Sequence, residues 1–476
     1  MDKNEVCVVM VPFIAQGHLN QLLHLSRLIS AYNLPVHFVC ATTHNRQAKL
    51  RIHGSWDPLS DPNLHFHDFP VPTFPNPSPN PNATTRFPAH LMPSFKAVMH
   101  LRQPFNKLLS DLSIITKRVV IIHDYLMSSV VQDFGSFANA EVYMFQSCSA
   151  FTAFWYHWEM TRTISLDDET EAVWKKVPSL EGCLTDEFIE LLESEDTSFK
   201  KISSGTIYDT SKVFEEKFLE LLKTEEISGT SKNWAIGPFN PVALTERKDS
   251  ATESNRASKK IGTSPLINWL DKQEANSVIY VSFGTTVSFT DEEAKEIAIG
   301  LEESRQKFIW VVRDADKGDI FDGEERRIEL PEGFEERIER QGVGVVVRDW
   351  APQIEILGHP STGGFMSHCG WNSSMEAITM GIPIAAWPMH ADQPRNATLI
   401  TEVLGTGIYA RDWGRRDEAV AASMVAEAVR RLMVSEEGCR VRKKAEELGG
   451  VVRRSVEDGG VMRKELDAFV AQITRP

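Results

Sequence analysis

The run Val6–Phe13, VCVVMVPF, offers no polar side chain to either side of a β pleat. A strand with one face in water alternates apolar and polar residues. A strand that is apolar throughout must be covered on both faces, as in a parallel sheet flanked by helices. The next segment, GHLNQLLHLSRLISAY, sets Leu22, Leu25, Leu28 and Ile29 at helical spacing, and PVHFVCATT and RVVIIHDYL read as further buried strands. Strand–helix–strand order with apolar strands indicates an α/β domain built on a parallel sheet. The same alternation returns later in SVIYVSFGT, KFIWVVR, GVGVVVRDW, GGFMSH and GIPIAAWP, with a helix over Asp291–Ser304.

Between the two stretches lies Thr245–Pro265, TERKDSATESNRASKKIGTSP, polar and poor in large apolar residues, which reads as a linker. The expected organisation is a first Rossmann-like domain over 1–244, a linker over 245–265, and a second Rossmann-like domain over 266–455. A terminal helix over 456–476 carries Leu466, Phe469, Val470 and Ile473 on one face and is expected to pack back on the first domain. Its 476 residues are ample for two domains. The proline-rich run Pro70–Pro88 can form neither helix nor central strand, and reads either as a lip over a site or as a surface excursion.

A net charge of −15 argues against nucleic acid or an anionic membrane as the main partner. The six cysteines form no CxxC pair, so no zinc framework or redox motif is indicated, and free thiols in a reducing compartment are expected. The start MDKNE has the wrong flank for a secretory signal, and no stretch reaches the roughly 18 apolar residues that span a bilayer. A cytoplasmic monomer without a membrane span is expected, with the sequons at Asn82, Asn372 and Asn396 unused.

Two such domains place a cleft between them, and ligands bind beyond the carboxyl ends of parallel strands. In MSHCGWNSSMEAI a strand ends near Ser367 and a helix begins near Asn372. The unpaired N–H groups of such a start suit a phosphate, and Gly370 permits close approach. His368, Asn372 and Ser373 can add donors. Ser373-x-x-Glu376 is equally a capping box. SFGTT (Ser282–Thr286) repeats the strand–turn logic, with Thr285 and Thr286 as donors. Neither a P-loop nor a GxGxxG fingerprint is present, which argues against a dehydrogenase.

His18 follows the first strand at a helix start, where the positive helix end favours a neutral imidazole able to accept a proton; a capping or core histidine is the other reading. Asp124 ends the strand RVVIIHD and can come to rest beside His18, orienting the ring. The adjacent His123 should point to the opposite face. Asp314-Ala315-Asp316 has the form of a metal-binding DxD, but no third ligand is near, and a solvated loop is the better reading. The aromatic run Phe151–Trp158 reads as a buried helix or as the wall of an apolar acceptor pocket.

Trp350–Gln393, with WAPQ, HCGWNS, Glu376 and the closing Asp-Gln, resembles the signature box of plant family-1 UDP-glycosyltransferases, and His18, Asp124 and SFGT fall in the family's order. FPAHLMPSF, SLEGC, GPFNP, QKFIWVVRDADKGDIF and WPMHADQPRN are similar to the zeatin O-glucosyltransferase subgroup. The resemblance implies a GT-B fold, two Rossmann-like domains facing across a cleft. It implies that Trp350 stacks on uracil while Gln353 and the Ala351 backbone meet the uracil edge. His368, Asn372 and Ser373, helped by Thr285 and Thr286, hold the phosphates; Glu376 holds the ribose; Trp371, Asp392 and Gln393 contact the sugar. Two positions depart from the common pattern: Gln21, where many relatives have proline, and His390, where relatives outside the subgroup often have an aromatic residue.

The expectation is an inverting, metal-independent O-glucosyltransferase that takes UDP-glucose as donor cosubstrate, with no permanently bound cofactor. His18 is the base and Asp124 its support. The acceptor implied is zeatin. A flavonoid or other small phenol or alcohol, UDP-xylose as donor, and a non-catalytic nucleotide-sugar binder remain as alternatives.

Overall fold

A computed structural model of the chain describes residues 4–52, 56–162, 164–195, 203–223, 232–241 and 265–475. The expected linker, apart from Pro265, lies outside them. Among the described residues the chain forms two sheets in which every pairing is parallel. In the first sheet, β1 (Asn4–Val11), β2 (Val36–Ala41), β3 (Leu64–Phe69), β4 (Thr116–Asp124), β5 (Ala140–Gln146), β6 (Thr206–Tyr208) and β7 (Asn233–Ala235) take the order 3-2-1-4-5-6-7. In the second, β8 (Val278–Ser282), β9 (Lys307–Val311), β10 (Gly344–Val347), β11 (Thr362–Ser367), β12 (Ile384–Ala386) and β13 (Gly407–Tyr409) take the order 10-9-8-11-12-13. Val8–Val11 of β1 are at most 1% exposed, as two-sided burial demands.

Register sets the site. Val11 of β1 lies level with His123 of β4, so the helix Gln16–Ser30 begins beside Asp124, the last residue of β4. Ser367 of β11 lies level with both Ser282 of β8 and Ala386 of β12. The three segments that follow these strands therefore leave the same edge side by side.

Helix Asp291–Ser304 starts with a complete capping box, in which Thr290 Oγ1 accepts from Glu293 N (3.1 Å) and Glu293 accepts from Thr290 N (3.0 Å). After helix Glu436–Ser455 the chain crosses back to the first domain. There Leu466, Phe469 and Ile473 of helix Val461–Ile473 are buried, and Phe469 packs edge-on against Tyr143 of β5 (5.3 Å between centroids) and Trp234 of β7 (5.5 Å). None of the described helices is long and apolar enough to cross a membrane.

The proline-rich run is exposed along much of its length, but its end docks on the second domain. Arg86 donates to the Ser288 carbonyl (2.9 Å) and pairs with Glu293, and Phe87 is buried. The solvated-loop reading of Asp314 and Asp316 is overturned, because both are buried, at 5% and 7% exposed. Asp316 receives Arg51 from the first domain at 2.5 and 3.0 Å and also Arg313; Asp314 accepts from Ser288. A long-range arginine, unreadable in local sequence, draws this loop into the domain interface.

Phe469→Ala empties a fully buried aromatic site and should cost about 3–5 kcal/mol. Urea unfolding followed by tryptophan fluorescence should show the loss in the first domain, beside Trp234. An unchanged midpoint would contradict this packing.

Candidate active site

His18 is the third residue of helix Gln16–Ser30, and its Nδ1 lies 2.7 Å from Asp124 Oδ2. Asp124 is fully buried, and its other oxygen accepts the Leu126 backbone N–H at 3.0 Å. Because a carboxylate only accepts, Nδ1 carries the proton. That leaves Nε2 as the ring's proton acceptor. The His18 side chain is 23% exposed, with Phe13 edge-on at 5.3 Å.

Burial pulls the His18 pKa down. The charge and hydrogen bond of Asp124, then the charge of Asp392, outweigh it and hold the group above the usual histidine value. Burial and the two carboxylates thus set this shift. His123, as expected, takes no part in the pair. It is buried, and its Nδ1 donates to the Asp124 carbonyl at 2.8 Å.

Across the cleft, the segments leaving β8, β11 and β12 supply the other wall. The His368 ring lies between two glycines. A Cβ at Gly284 would stand 2.7 Å from His368 Nε2 and one at Gly370 2.5 Å, so neither site admits a side chain while the ring stays. Gly284 also has φ of +80°. Burial pushes the His368 pKa down to about 4, against a hydrogen bond to the Ser282 backbone, so the ring is neutral near pH 7.

The capping box over Ser373–Glu376 does not form. Helix Trp371–Met380 has no side-chain bond at its N-cap, Gly370. Gln353 Nε2 instead donates to Ser373 Oγ (2.9 Å) and to Glu376 Oε2 (2.7 Å), while Asn372 Nδ2 donates to Glu376 Oε1 (2.9 Å). The helix begins at Trp371 behind its N-cap Gly370, so Ser373 and Glu376 fall inside it and not at its cap, and no side chain caps its start. Burial, opposed by its two donors, pushes the Glu376 carboxyl up to about 7.

The cleft between these walls holds about 940 Å³, in the upper range for ligand sites. His18, Thr285, Thr286, Trp350, Ala351, Gln353, His368, Trp371, Asn372, Ser373, Asp392 and Gln393 all line it. Asp124 and Glu376 do not. They stand behind the walls, bonded to residues that do. Trp350 is half-buried, with the Arg51 guanidinium 4.9 Å from its ring centroid. Trp371 donates its indole N–H across the domain interface to the Asp209 carbonyl at 2.8 Å. Asp392 is half-buried and accepts from Asn396 at 2.7 Å.

The aromatic run serves both readings at once. In helix Ala150–Thr161, Phe151, Phe154 and Trp155 are fully buried, while Ala153, Tyr156 and His157 line the cleft. Sequence reasoning missed Glu195, a buried carboxylate on the same wall that accepts from Ser129 N (2.8 Å) and Ser129 Oγ (2.5 Å). It also missed Asp209, whose carboxyl burial pushes up to about 7 and which Gln21 reaches at 3.2 Å. Gln21 is the position near the base that departs from the common pattern, and no local pattern marks Asp209 or Glu195.

Residues 4–241 match the family described as "Glycosyltransferase, N-terminal domain", and residues 215–425 the family described as "UDP-glucoronosyl and UDP-glucosyl transferase". A zeatin O-xylosyltransferase of Phaseolus vulgaris is 51% identical over 100% of this chain and 99% of its own. A zeatin O-glucosyltransferase of Phaseolus lunatus is 52% identical over 99% of this chain and 98% of its own. The crystal structure of TcCGT1 in complex with UDP aligns with a TM-score of 0.72 at 26% identity, covering 99% of each chain. Phytolacca americana UGT2 complexed with UDP-2fluoro-glucose and pterostilbene aligns at 0.74 and 24% identity, over 99% of this chain and 100% of that one, a likeness of fold. With whole-length relatives above half identity and two parallel-sheet domains in the GT-B arrangement, the chain belongs to the UDP-glycosyltransferase family.

Proposed function

We propose that this enzyme transfers glucose from UDP-glucose to a hydroxyl of a small acceptor, zeatin being the acceptor to which the names of its relatives point. One observation carries the proposal. The free nitrogen of a carboxylate-held imidazole shares a cleft with an uncapped helix start and its neutral histidine.

In this reading uracil stacks on Trp350, with Gln353 and the Ala351 backbone at its edge. Asn372, Ser373, Thr285, Thr286 and His368 meet the diphosphate. Glu376 acts on the ribose side through Gln353 and Asn372. Trp371, Asp392 and Gln393 meet the sugar. His18 Nε2 takes the proton of the acceptor hydroxyl as its oxygen attacks the anomeric carbon. Attack from the face opposite UDP inverts that carbon and yields a β-glucoside. Asp124 stabilises the imidazolium as it forms. The charge developing on UDP falls on the first-turn N–H groups and on His368, and no metal ion is assigned a part. Buried thiols at Cys7, Cys40, Cys183 and Cys369 fit a reducing, cytoplasmic setting. The xylosyltransferase at 51% identity favours UDP-xylose as the second donor reading.

His18→Ala should lower kcat by ~10²–10⁴-fold while calorimetry shows UDP-glucose still bound. Turnover near the wild-type rate would remove His18 from the role. Release of UDP from UDP-glucose should depend on an added acceptor, and in a panel of cytokinins and flavonols zeatin should give the highest kcat/KM. Efficient flavonol turnover without zeatin turnover would overturn the acceptor, and UDP-glucose binding with no UDP release in the presence of any acceptor would favour a binder.

A further inference from the structure

His390 sits where relatives outside the subgroup often carry an aromatic residue, and its bonding follows from its neighbour. Gln393 is buried, and its Oε1 accepts two backbone N–H groups, those of Met389 (2.9 Å) and His390 (3.1 Å). The carboxamide cannot be turned round, because its NH2 would then face two donors. The nitrogen end therefore points to His390, with Gln393 Nε2 3.2 Å from His390 Nε2. An amide nitrogen donates and does not accept. His390 Nε2 must then be the acceptor, which places the ring proton on Nδ1. Thr286 Oγ1 lies 3.0 Å from the same Nε2.

The surroundings keep the ring packed and neutral, and its Nδ1 has no hydrogen-bond partner among the described residues. His390 is 6% exposed, and Phe87 from the first domain holds its ring edge-on at 5.8 Å. Burial, then His368 and His90, push its pKa down to about 3, so the ring carries no charge. Thr286, His390 and Gln393 all line the cleft.

We infer that His390 is a positioning residue for the donor sugar: it fixes the Gln393 carboxamide so that the sugar meets an N–H donor, not an amide carbonyl. A carboxamide NH2 has two hydrogens, and His390 takes one. The other is left for a sugar hydroxyl, whose own proton goes to the neighbouring Asp392 carboxylate. Aromatic replacement keeps the packing on Phe87 and removes the acceptor, so the carboxamide loses its anchor. The inference rests on the UDP-sugar reading of this cleft.

The test compares His390→Phe with His390→Gln, whose amide oxygen can accept in place of Nε2. His390→Phe should raise KM for UDP-glucose about tenfold, the loss expected for a buried hydrogen bond, with Kd for UDP and KM for the acceptor unchanged. His390→Gln should restore most of the difference. Wild-type KM in His390→Phe, or equal weakening of UDP and UDP-glucose in both variants, overturns the inference and leaves the donor reading standing. Wild-type protein that binds UDP and no UDP-glucose overturns the donor reading, and this inference with it.

Discussion

The 2.7 Å contact between His18 and Asp124 is the point on which the site turns, and it is a product of strand order. In the order 3-2-1-4, the connections from β1 and β4 leave in opposite directions, opening a crevice at the carboxyl edge between them. The β1 connection enters the crevice as a helix start carrying His18, and β4 ends there on Asp124. The second sheet repeats the pattern at β8 and β11, where the glycines that enclose His368 emerge. One domain thus presents a proton acceptor at its switch point and the other a nest of donors.

Holding the two crevices face to face falls to buried polar contacts between the domains. Asp209 receives Gln21, from the helix of His18, on its carboxylate and Trp371, from the donor-side helix, on its carbonyl. Arg51 links Asp316 to the face of Trp350. Arg395, 1% exposed, pairs with Glu159 and lies 4.5 Å from the Tyr156 ring centroid, tying the segment after Gln393 to the aromatic helix that lines the cleft. Buried charges of this kind add little net stability for their desolvation cost, but a mispaired alternative leaves a charge without a partner. Their role here is to fix how the walls meet.

What the sequence made legible was local. Apolar runs such as VCVVMVPF marked buried strands, and Gly370 with its flanking donors marked a strand–turn–helix junction. His18 and Asp124 were readable as strand-end residues. What stayed hidden depended on distant partners. Asp314 and Asp316 look solvated until Arg51 is found beside Asp316. Ser373 and Glu376 satisfy a capping pattern in sequence, but the helix begins earlier, at Trp371, and Gln353 bonds both. The aromatic run divides by helical spacing between core and cleft, so neither reading alone sufficed. Glu195 and Asp209 lie on the first domain without any motif.

The dyad has a measurable signature. In the proposed reaction the base is the neutral His18 imidazole, so kcat/KM should fall as pH drops through the His18 pKa, which Asp124 and Asp392 hold above the usual value of about 6.5. Asp124→Asn removes the nearer charge and leaves burial, which acts downward. The most direct measurement is the pH dependence of kcat/KM in the wild type and in this variant. The acidic limb should lie above about 6.5 in the wild type and shift to lower pH in Asp124→Asn, with the plateau reduced. Superimposable limbs would show that this carboxylate does not govern the base.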